Sequence, residues 1–268
     1  MLTNVLHYPG RKVIKNKFFY DRKEYQMHPI ICHIGRFTIY SYGLMLAIAV
    51  LICSILLARD LEKQLGLKRD IVYDMVFWIM LAGIAGARLF YVFLNLPFFI
   101  ENPLEIIMIQ HGGLAWFGGL AAGVVCFLVF VKKHNLKVFR MADLLAPYLA
   151  LGQSIGRIGC FLNGCCYGKR VSWGIYFPVH HARLHPTQLY SSFGLLLIFF
   201  ILKKYQHSVH KEGICFVLYL LLASVLRFNV EFFRADHSPF LFNLSIFQVI
   251  CIIIFCIGLI LFAKIKRG

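Results

Sequence analysis

Charge is what this sequence has least of. Asp, Glu, Lys and Arg make up only 15% of its 268 residues, against 60% hydrophobic residues and a mean hydropathy of +0.72. That excludes an ordinary soluble domain, in which about a quarter of residues are charged. Acidic residues are scarcest, at 12 against 28 Lys and Arg, which leaves a formal net charge of +16. Pro- or Ser-rich linkers are also missing, so nothing divides the chain into separate folding units. No internal repeat is visible, which weighs against an inverted-repeat transporter. The first 37 residues lack a continuous apolar core, which speaks against a cleaved signal peptide. Neither a glycine-rich nucleotide loop nor an H-E-x-x-H pair occurs, so no cofactor and no metal are expected.

What the chain has in abundance is long apolar runs. A membrane-spanning helix needs about 20 predominantly apolar residues. Seven stretches qualify, at roughly 38–58, 71–96, 113–131, 142–162, 188–203, 213–233 and 244–263. They predict an all-α polytopic membrane protein: seven transmembrane helices in one bundle over 37–268, preceded by a basic tail over 1–36. Orientation follows from the basic residues between the helices. Arg59, Lys63, Lys68 and Arg69, then Lys132, Lys133, Lys137 and Arg140, then Lys203, Lys204 and Lys211, and finally Lys264, Lys266 and Arg267 fall on one side. The alternate loops carry only Lys169, Arg170, Arg183 and Arg234. The carboxyl terminus is therefore expected in the cytoplasm and the amino terminus outside, although the tail, with Arg11, Lys12, Lys15, Lys17, Arg22, Lys23 and Arg36, runs against that rule. Basic loops of this kind attract anionic lipid headgroups, and no basic-aromatic motif points to nucleic acid.

Charges inside apolar runs are different, because each costs a few kcal/mol at mid-bilayer and normally faces a polar cavity. Arg88, Arg157, and Arg227 with Glu231 are the candidates. Arg227 and Glu231 have the i, i+4 spacing of an intrahelical ion pair, and mutual neutralisation is one reading of them. Three arginines on separate helices with one nearby carboxylate nevertheless ask for an anion. In a bilayer that is a phospholipid phosphate, which the planar guanidinium fork binds with two hydrogen bonds. Gly112, Gly113, Gly118 and Gly119, with Gly83 and Gly86 on the preceding helix, fit close helix packing or an opening for a phosphate at a helix start.

Cysteine forms one cluster, Cys160, Cys165 and Cys166 in "GRIGCFLNGCCYGK". With His180, His181 and His185 further on, a zinc site is arithmetically open, yet C-x4-C-C matches no standard zinc spacing. A disulfide is a second reading and free thiols packed near a pocket the simplest. The other six cysteines stand singly, five of them in apolar runs where cysteine acts as a small hydrophobe.

Six blocks in order carry a resemblance: "YSYGLML" (40–46), "GARLFY" (86–91), "GGLAWFGG" (112–119), "GRIGCFLNGCCYG" (156–168), "HPTQLY" (185–190) and "RFNVEFFR" (227–234). From about residue 28 onward the chain resembles the bacterial prolipoprotein diacylglyceryl transferases. The resemblance implies a multi-pass protein of the bacterial inner membrane that moves the diacylglyceryl group of phosphatidylglycerol onto the lipobox cysteine thiol of a prolipoprotein signal peptide, forming a thioether. It implies that Arg157 holds the lipid headgroup, with Arg88, Asn163 and Gly168 in the same binding pocket. Tyr42 is expected to hydrogen-bond there, and Arg227 and Glu231 to act together, with Glu231 orienting Arg227 or helping to take the thiol proton. His185 is a further candidate base. No cofactor is needed, since the lipid already carries the carbon electrophile.

The sequence departs from that family where Cys160 stands for Asn, Cys165 for Glu after N-G, Phe117 for a histidine present in some members, and Ser191 for Glu after "HPTQLY". Two other classes remain alongside: an anion- or lipid-binding transporter using the same arginines, and a membrane thiol-redox protein using Cys160, Cys165 and Cys166.

Overall fold

A computed structural model describes residues 27, 29–34, 37–108, 112–208, 211–235, 239–241 and 243–267. Most of the basic amino-terminal tail lies outside them. The described chain is mostly helical. A short antiparallel pair, β1 (Ile30–Ile34) and β2 (Phe37–Tyr40), leads into α1 (Ser41–Leu65) and α2 (Arg69–Leu94). The short α3 (Leu96–Glu101) and a 3-10 turn (Pro103–Ile106) follow, then α4 (Trp116–Lys133) and α5 (Val138–Asn163). A second hairpin, β3 (Arg170–Phe177) with β4 (Ala182–Leu184), precedes α6 (Thr187–Gln206) and α7 (Ile214–Glu231). A third pair, β5 (Pro239–Leu241) and β6 (Leu244–Ser245), leads into α8 (Ile246–Arg267).

Five of these helices, α1, α2, α4, α7 and α8, are long and apolar enough to cross a bilayer. Their outward faces stay apolar: Phe77, Trp78 and Phe93 on α2, Val125 and Val129 on α4, and Ile253 and Ile260 on α8 are all exposed. In water such a surface would be a liability, whereas lipid tails cover it without cost.

The helices α5 and α6 are more polar because they stand inside the bundle. Ser154 Oγ donates to the Ser192 carbonyl at 2.8 Å, and Ser192 Oγ donates back to the Ser154 carbonyl at 2.9 Å. Gln153 on α5 reaches the Tyr219 hydroxyl of α7 at 2.6 Å. Pro147 sits inside α5 and cannot bond the carbonyl of Asp143, four residues back. Gln206 Nε2 of α6 supplies that bond at 3.2 Å. The Asp143 carboxylate in turn accepts from the Gly213 and Phe216 amides, at 2.6 and 2.8 Å, so it caps the start of α7.

Close packing joins α2 to α4. A Cβ on Gly86 would stand 2.7 Å from the Gly118 carbonyl, so only glycine allows this approach. Two apolar cores form, one from Leu57, Leu61, Met75, Val131, Met141 and Leu144, the other from Ala146, Ala150, Ile198, Leu202 and Cys215. The first joins the end of α1, the start of α2, the end of α4 and the start of α5, and the second joins the first half of α5 to the end of α6 and the start of α7. The opposite end of the bundle, where α1, α6 and α8 begin and α5 and α7 finish, holds the polar site.

The three small sheets are absent from the sequence expectation. "RVSWGIYF" lies in a loop between apolar runs, and only its pairing with β4 makes a strand of it.

Candidate active site

The site is assembled from helix ends. At the end of α5, Gly164 takes the left-handed conformation, with φ +74°, that a side chain resists. Its amide bonds the Phe161 carbonyl at 3.1 Å, and the Cys165 amide bonds the Cys160 carbonyl at 3.2 Å. This is the Schellman arrangement, and it folds the chain back over the last turn of α5. Arg157, Cys160 and Asn163, on the last two turns of α5, thereby come beside Cys165 and Cys166.

The first turn of α6 then fixes the loop. Thr187 Oγ1 donates to the Cys166 carbonyl at 2.7 Å and Gln188 Nε2 to the Cys165 carbonyl at 2.6 Å. Both side chains belong to residues only 1% exposed. Tyr42, in the first turn of α1, packs its ring on Gly159, where an added Cβ would lie 3.3 Å from Cδ2. It stands within electrostatic range of Cys160, Cys165, Cys166 and Arg157.

Positive charge gathers here. Arg227 lies within electrostatic range of both Arg157 and Arg234, and Glu231 is the carboxylate that faces them. Arg227 Nη2 stands 2.9 Å from Glu231 Oε2 and Arg234 Nε 3.7 Å from the same oxygen. Ser245 Oγ donates to Glu231 Oε1 at 2.8 Å, and the Arg227 guanidinium lies 5.3 Å from the centre of the Phe247 ring. Arg157 differs from these. Among the described residues it makes no hydrogen bond and no ion pair, so its fork is open.

Two expected ligand-binding residues have other work. Arg88 is buried and spends its guanidinium on the backbone of the segment before α4. Its Nε donates to Ile106 at 3.0 Å, Nη1 to Gly112 and to Gly113 at 3.0 Å, and Nη2 to Glu105 and to Met108 at 3.2 Å. A guanidinium has five N–H donors, and five carbonyls take them, leaving none for a phosphate. The same geometry resolves the glycine question in favour of packing: Gly112 and Gly113, at φ +85° and +81°, wrap this arginine. Gly168 is a position of close packing. A Cβ there would lie 2.5 Å from His185 Cβ, 2.6 Å from the Phe233 carbonyl and 2.8 Å from Thr187 Cγ2. Its backbone pairs with Arg234.

His185 sits beside this junction, with Nδ1 3.0 Å from the Tyr190 hydroxyl and its ring against Trp173 and Phe233. His180 packs on Tyr167 and approaches the Gly164 carbonyl at 3.3 Å. Neither belongs with the thiols, nor does His181. Among the described residues, the sulfur atoms of Cys160, Cys165 and Cys166 alone form a cluster of metal-ligand atoms, all within 4.8 Å of one another. All three are free. Hydrogen bonds from the Cys160 and Cys165 thiols hold the Cys166 thiol well below the ordinary thiol range, helped by Arg234 and Arg157 and opposed by burial.

Sequence reasoning passed over Arg234, counting it as a loop charge. Its signal was present in "RFNVEFFR", a glutamate flanked by arginines four residues before and three after. Thr187, Gln188 and Ser245 carry no comparable signal, because hydroxyl and amide side chains at helix starts are common.

A sequence model of the family described as prolipoprotein diacylglyceryl transferase matches residues 29–264. Among curated relatives, a phosphatidylglycerol--prolipoprotein diacylglyceryl transferase of Clostridium tetani is 36% identical over 244 residues, covering 88% of this chain and 97% of its own. Enzymes of the same name from Staphylococcus xylosus and Staphylococcus aureus are each 33% identical, covering 87% and 89% of this chain and 87% and 90% of their own.

Proposed function

The chain belongs to the prolipoprotein diacylglyceryl transferase family, and from that premise we propose how its arginine cluster serves the reaction. The protein is a transferase. It moves the diacylglyceryl group of phosphatidylglycerol to the lipobox cysteine thiol of a prolipoprotein. The thiolate attacks the glyceryl carbon next to the phosphate, a C–S bond forms as the C–O bond breaks, and glycerol phosphate leaves with the electron pair. The thiol proton must pass to a base.

One observation carries the assignment of roles: among the arginines inside the apolar runs, the Arg157 guanidinium is uncommitted among the described residues, whereas Arg88 is saturated and Arg227 is tied to Glu231. Arg157 binds the lipid phosphate. Arg227 and Arg234, held by the shared Glu231 carboxylate, supply a fixed positive field for the charge that develops on the departing phosphate, a term worth about 10² to 10³ in rate for a single donor. Glu231 is thus a positioning residue. Tyr42 donates from the first turn of α1 into the same pocket, and Asn163 closes it at the end of α5. His185 takes the thiol proton, with Tyr190 holding its Nδ1 side. Arg88 shapes the pocket wall by fixing the segment before α4, and Gly168 lets β3, α6 and the end of α7 meet.

The seven helices of 18 or more residues all cross the membrane in this reading, α5 and α6 being polar because neighbours shield them. The basic loops put the carboxyl terminus in the cytoplasm and the site toward the outer leaflet of the bacterial inner membrane. Residues 37–268 form the transferase domain and 1–36 a basic tail beside it. Reporter fusions after residues 208 and 235 are expected on opposite sides of the membrane, and the same side for both would overturn this topology.

The decisive experiment is transfer itself. Purified protein in vesicles containing labelled phosphatidylglycerol should add one diacylglyceryl mass to a lipobox peptide. Absence of transfer by well-folded protein across several phospholipids would remove the reading.

A further inference from the structure

We propose that Cys160, Cys165 and Cys166 form a three-thiolate zinc site whose open fourth position receives the cysteine thiol of the incoming prolipoprotein. The inference rests on the transferase reading for the identity of that fourth ligand, and on geometry for the metal.

The sequence spacing gave no support to zinc, because the three cysteines are not arranged as two pairs. Space decides differently. The Schellman turn at Gly164 brings Cys165 back over Cys160, and the left-handed conformation of Cys166, at φ +62°, turns the chain again at once. The three sulfurs end within 4.8 Å of one another. Tetrahedral zinc with Zn–S near 2.3 Å needs sulfurs about 3.8 Å apart, a difference of about 1 Å that side-chain rotation closes. The backbone beneath them is already fixed, by Gln188 on the Cys165 carbonyl and Thr187 on the Cys166 carbonyl. Fixed ligands with a firm second layer are what a metal site requires.

Charge points the same way. Three thiolates and one Zn²⁺ carry a net charge of −1, which is costly in an apolar setting unless matched. Arg157 and Arg234 lie within electrostatic range of Cys166, so the site stands in a positive surrounding.

Three protein ligands leave one tetrahedral position open, the pattern of catalytic rather than structural zinc. A thiol that coordinates zinc loses its proton and remains nucleophilic as the bound thiolate. The substrate thiol would bind with its proton passing to His185 and then attack the glyceryl carbon, the C–S bond forming as the C–O bond to the phosphate breaks and glycerol phosphate leaves with the electron pair. Its product is a thioether, a much weaker ligand, so the lipidated peptide leaves and the position reopens. Arg157 is on the last turns of the same helix as Cys160, so the phosphate it binds and the thiolate are brought to one place.

The test uses the full chain in detergent, with its thiols reduced and counted. One Co²⁺ per chain is expected to bind with thiolate-to-cobalt charge-transfer absorbance and tetrahedral ligand-field bands, and Zn²⁺ is expected to displace it. A lipobox peptide should shift those bands, while the same peptide with serine in place of cysteine should not. The triple variant Cys160→Ser, Cys165→Ser, Cys166→Ser should lose the signal, and the peptide comparison on the unmodified chain decides the matter even where that variant does not fold. Failure of the reduced, folded chain to take up stoichiometric Co²⁺, binding that survives the triple substitution, or bands that the cysteine peptide leaves unmoved would each overturn the proposal. Transfer from phosphatidylglycerol that persists after complete zinc removal overturns the zinc role and leaves the transferase reading standing. Cobalt and peptide ligation without any transfer does the reverse.

Discussion

Arg227 and Glu231 stand one turn apart on α7 with Nη2 2.9 Å from Oε2, and the carboxylate also meets Arg234 Nε at 3.7 Å. One buried acid therefore organises two guanidiniums. Had the pair served only to neutralise itself, the second arginine would have no reason to converge on the same oxygen. Glu231→Gln removes the charge and keeps the shape. It is expected to slow transfer on the order of 10²-fold and to lower Tm, since the half-buried Arg227 and the buried Arg234 are then left uncompensated. Vesicle transfer and thermal unfolding in parallel check both, and unchanged transfer would reduce Glu231 to a structural ion pair.

Arg88 and Arg157 should separate cleanly. Hydrogen bonds to a charged group contribute about 1.5–3 kcal/mol each, and Arg88 makes five to the backbone between Glu105 and Gly113. Arg88→Ala is expected to lower stability by at least about 3 kcal/mol, while Arg157→Ala leaves Tm near that of the unmodified protein and abolishes transfer. Equal loss of Tm in both variants would contradict the assignment.

How far the sequence reveals this depends on the kind of residue. Long apolar runs mark the helices because a bilayer demands them: the expected stretches match seven helices to within a few residues for most ends, and five of these, α1, α2, α4, α7 and α8, are long and apolar enough to cross. Intramembrane arginine is visible for the same reason. What one arginine does is not visible, because the partners of Arg88 come from a segment some twenty residues later and Arg157 has none among the described residues. The meeting of Cys160, Cys165 and Cys166 depends on a left-handed turn at Gly164 followed by another at Cys166. Spacing rules written for paired cysteines miss such a turn. The β3–β4 hairpin and the role of Arg234 depend on pairing across the chain in the same way.

Cys166 should be unusually acidic. Its thiol is held below the ordinary range by hydrogen bonds from Cys160 and Cys165 and by Arg234 and Arg157, so the thiolate persists as pH falls below the ordinary thiol pKa of about 8.5. In metal-stripped protein, iodoacetamide is expected to modify Cys166 at pH 6 to 7, where an ordinary thiol reacts slowly. Removing the largest of these influences, with Cys160→Ala, should move the onset of alkylation to higher pH, and Arg234→Gln should move it less. Peptide mapping by mass reads each site, and an onset for Cys166 at the ordinary thiol value would refute the effect.

His185 has its Nδ1 on the Tyr190 hydroxyl at 3.0 Å and its ring between Trp173 and Phe233. Such a setting holds a base in one orientation. His185→Asn should lower kcat by about 10²-fold or more, with KM for phosphatidylglycerol little changed. Tyr190→Phe should give a smaller loss, because the ring packing survives. A rise in KM with kcat little changed would place His185 in lipid binding instead of proton transfer.

Asp143 supplies the control at the far end of the bundle. Its carboxylate accepts from the Gly213 and Phe216 amides, at 2.6 and 2.8 Å, where α7 begins, and it is 4% exposed. Replacing it with alanine strands two buried amides and removes a negative charge from a helix start. Helix caps of this kind are worth about 0.5–2 kcal/mol, and burial of the orphaned amides adds to that. The active end is formed by the other end of α7, with Arg227 and Glu231 some four turns away, so transfer per folded molecule should not change. Asp143→Ala is therefore expected to lower Tm while leaving kcat intact in the surviving fraction, and Asp143→Asn to recover only part of the loss, since its amide offers one acceptor to two donors. If kcat instead falls with Tm, the two ends of α7 are coupled and its rigidity belongs to the mechanism.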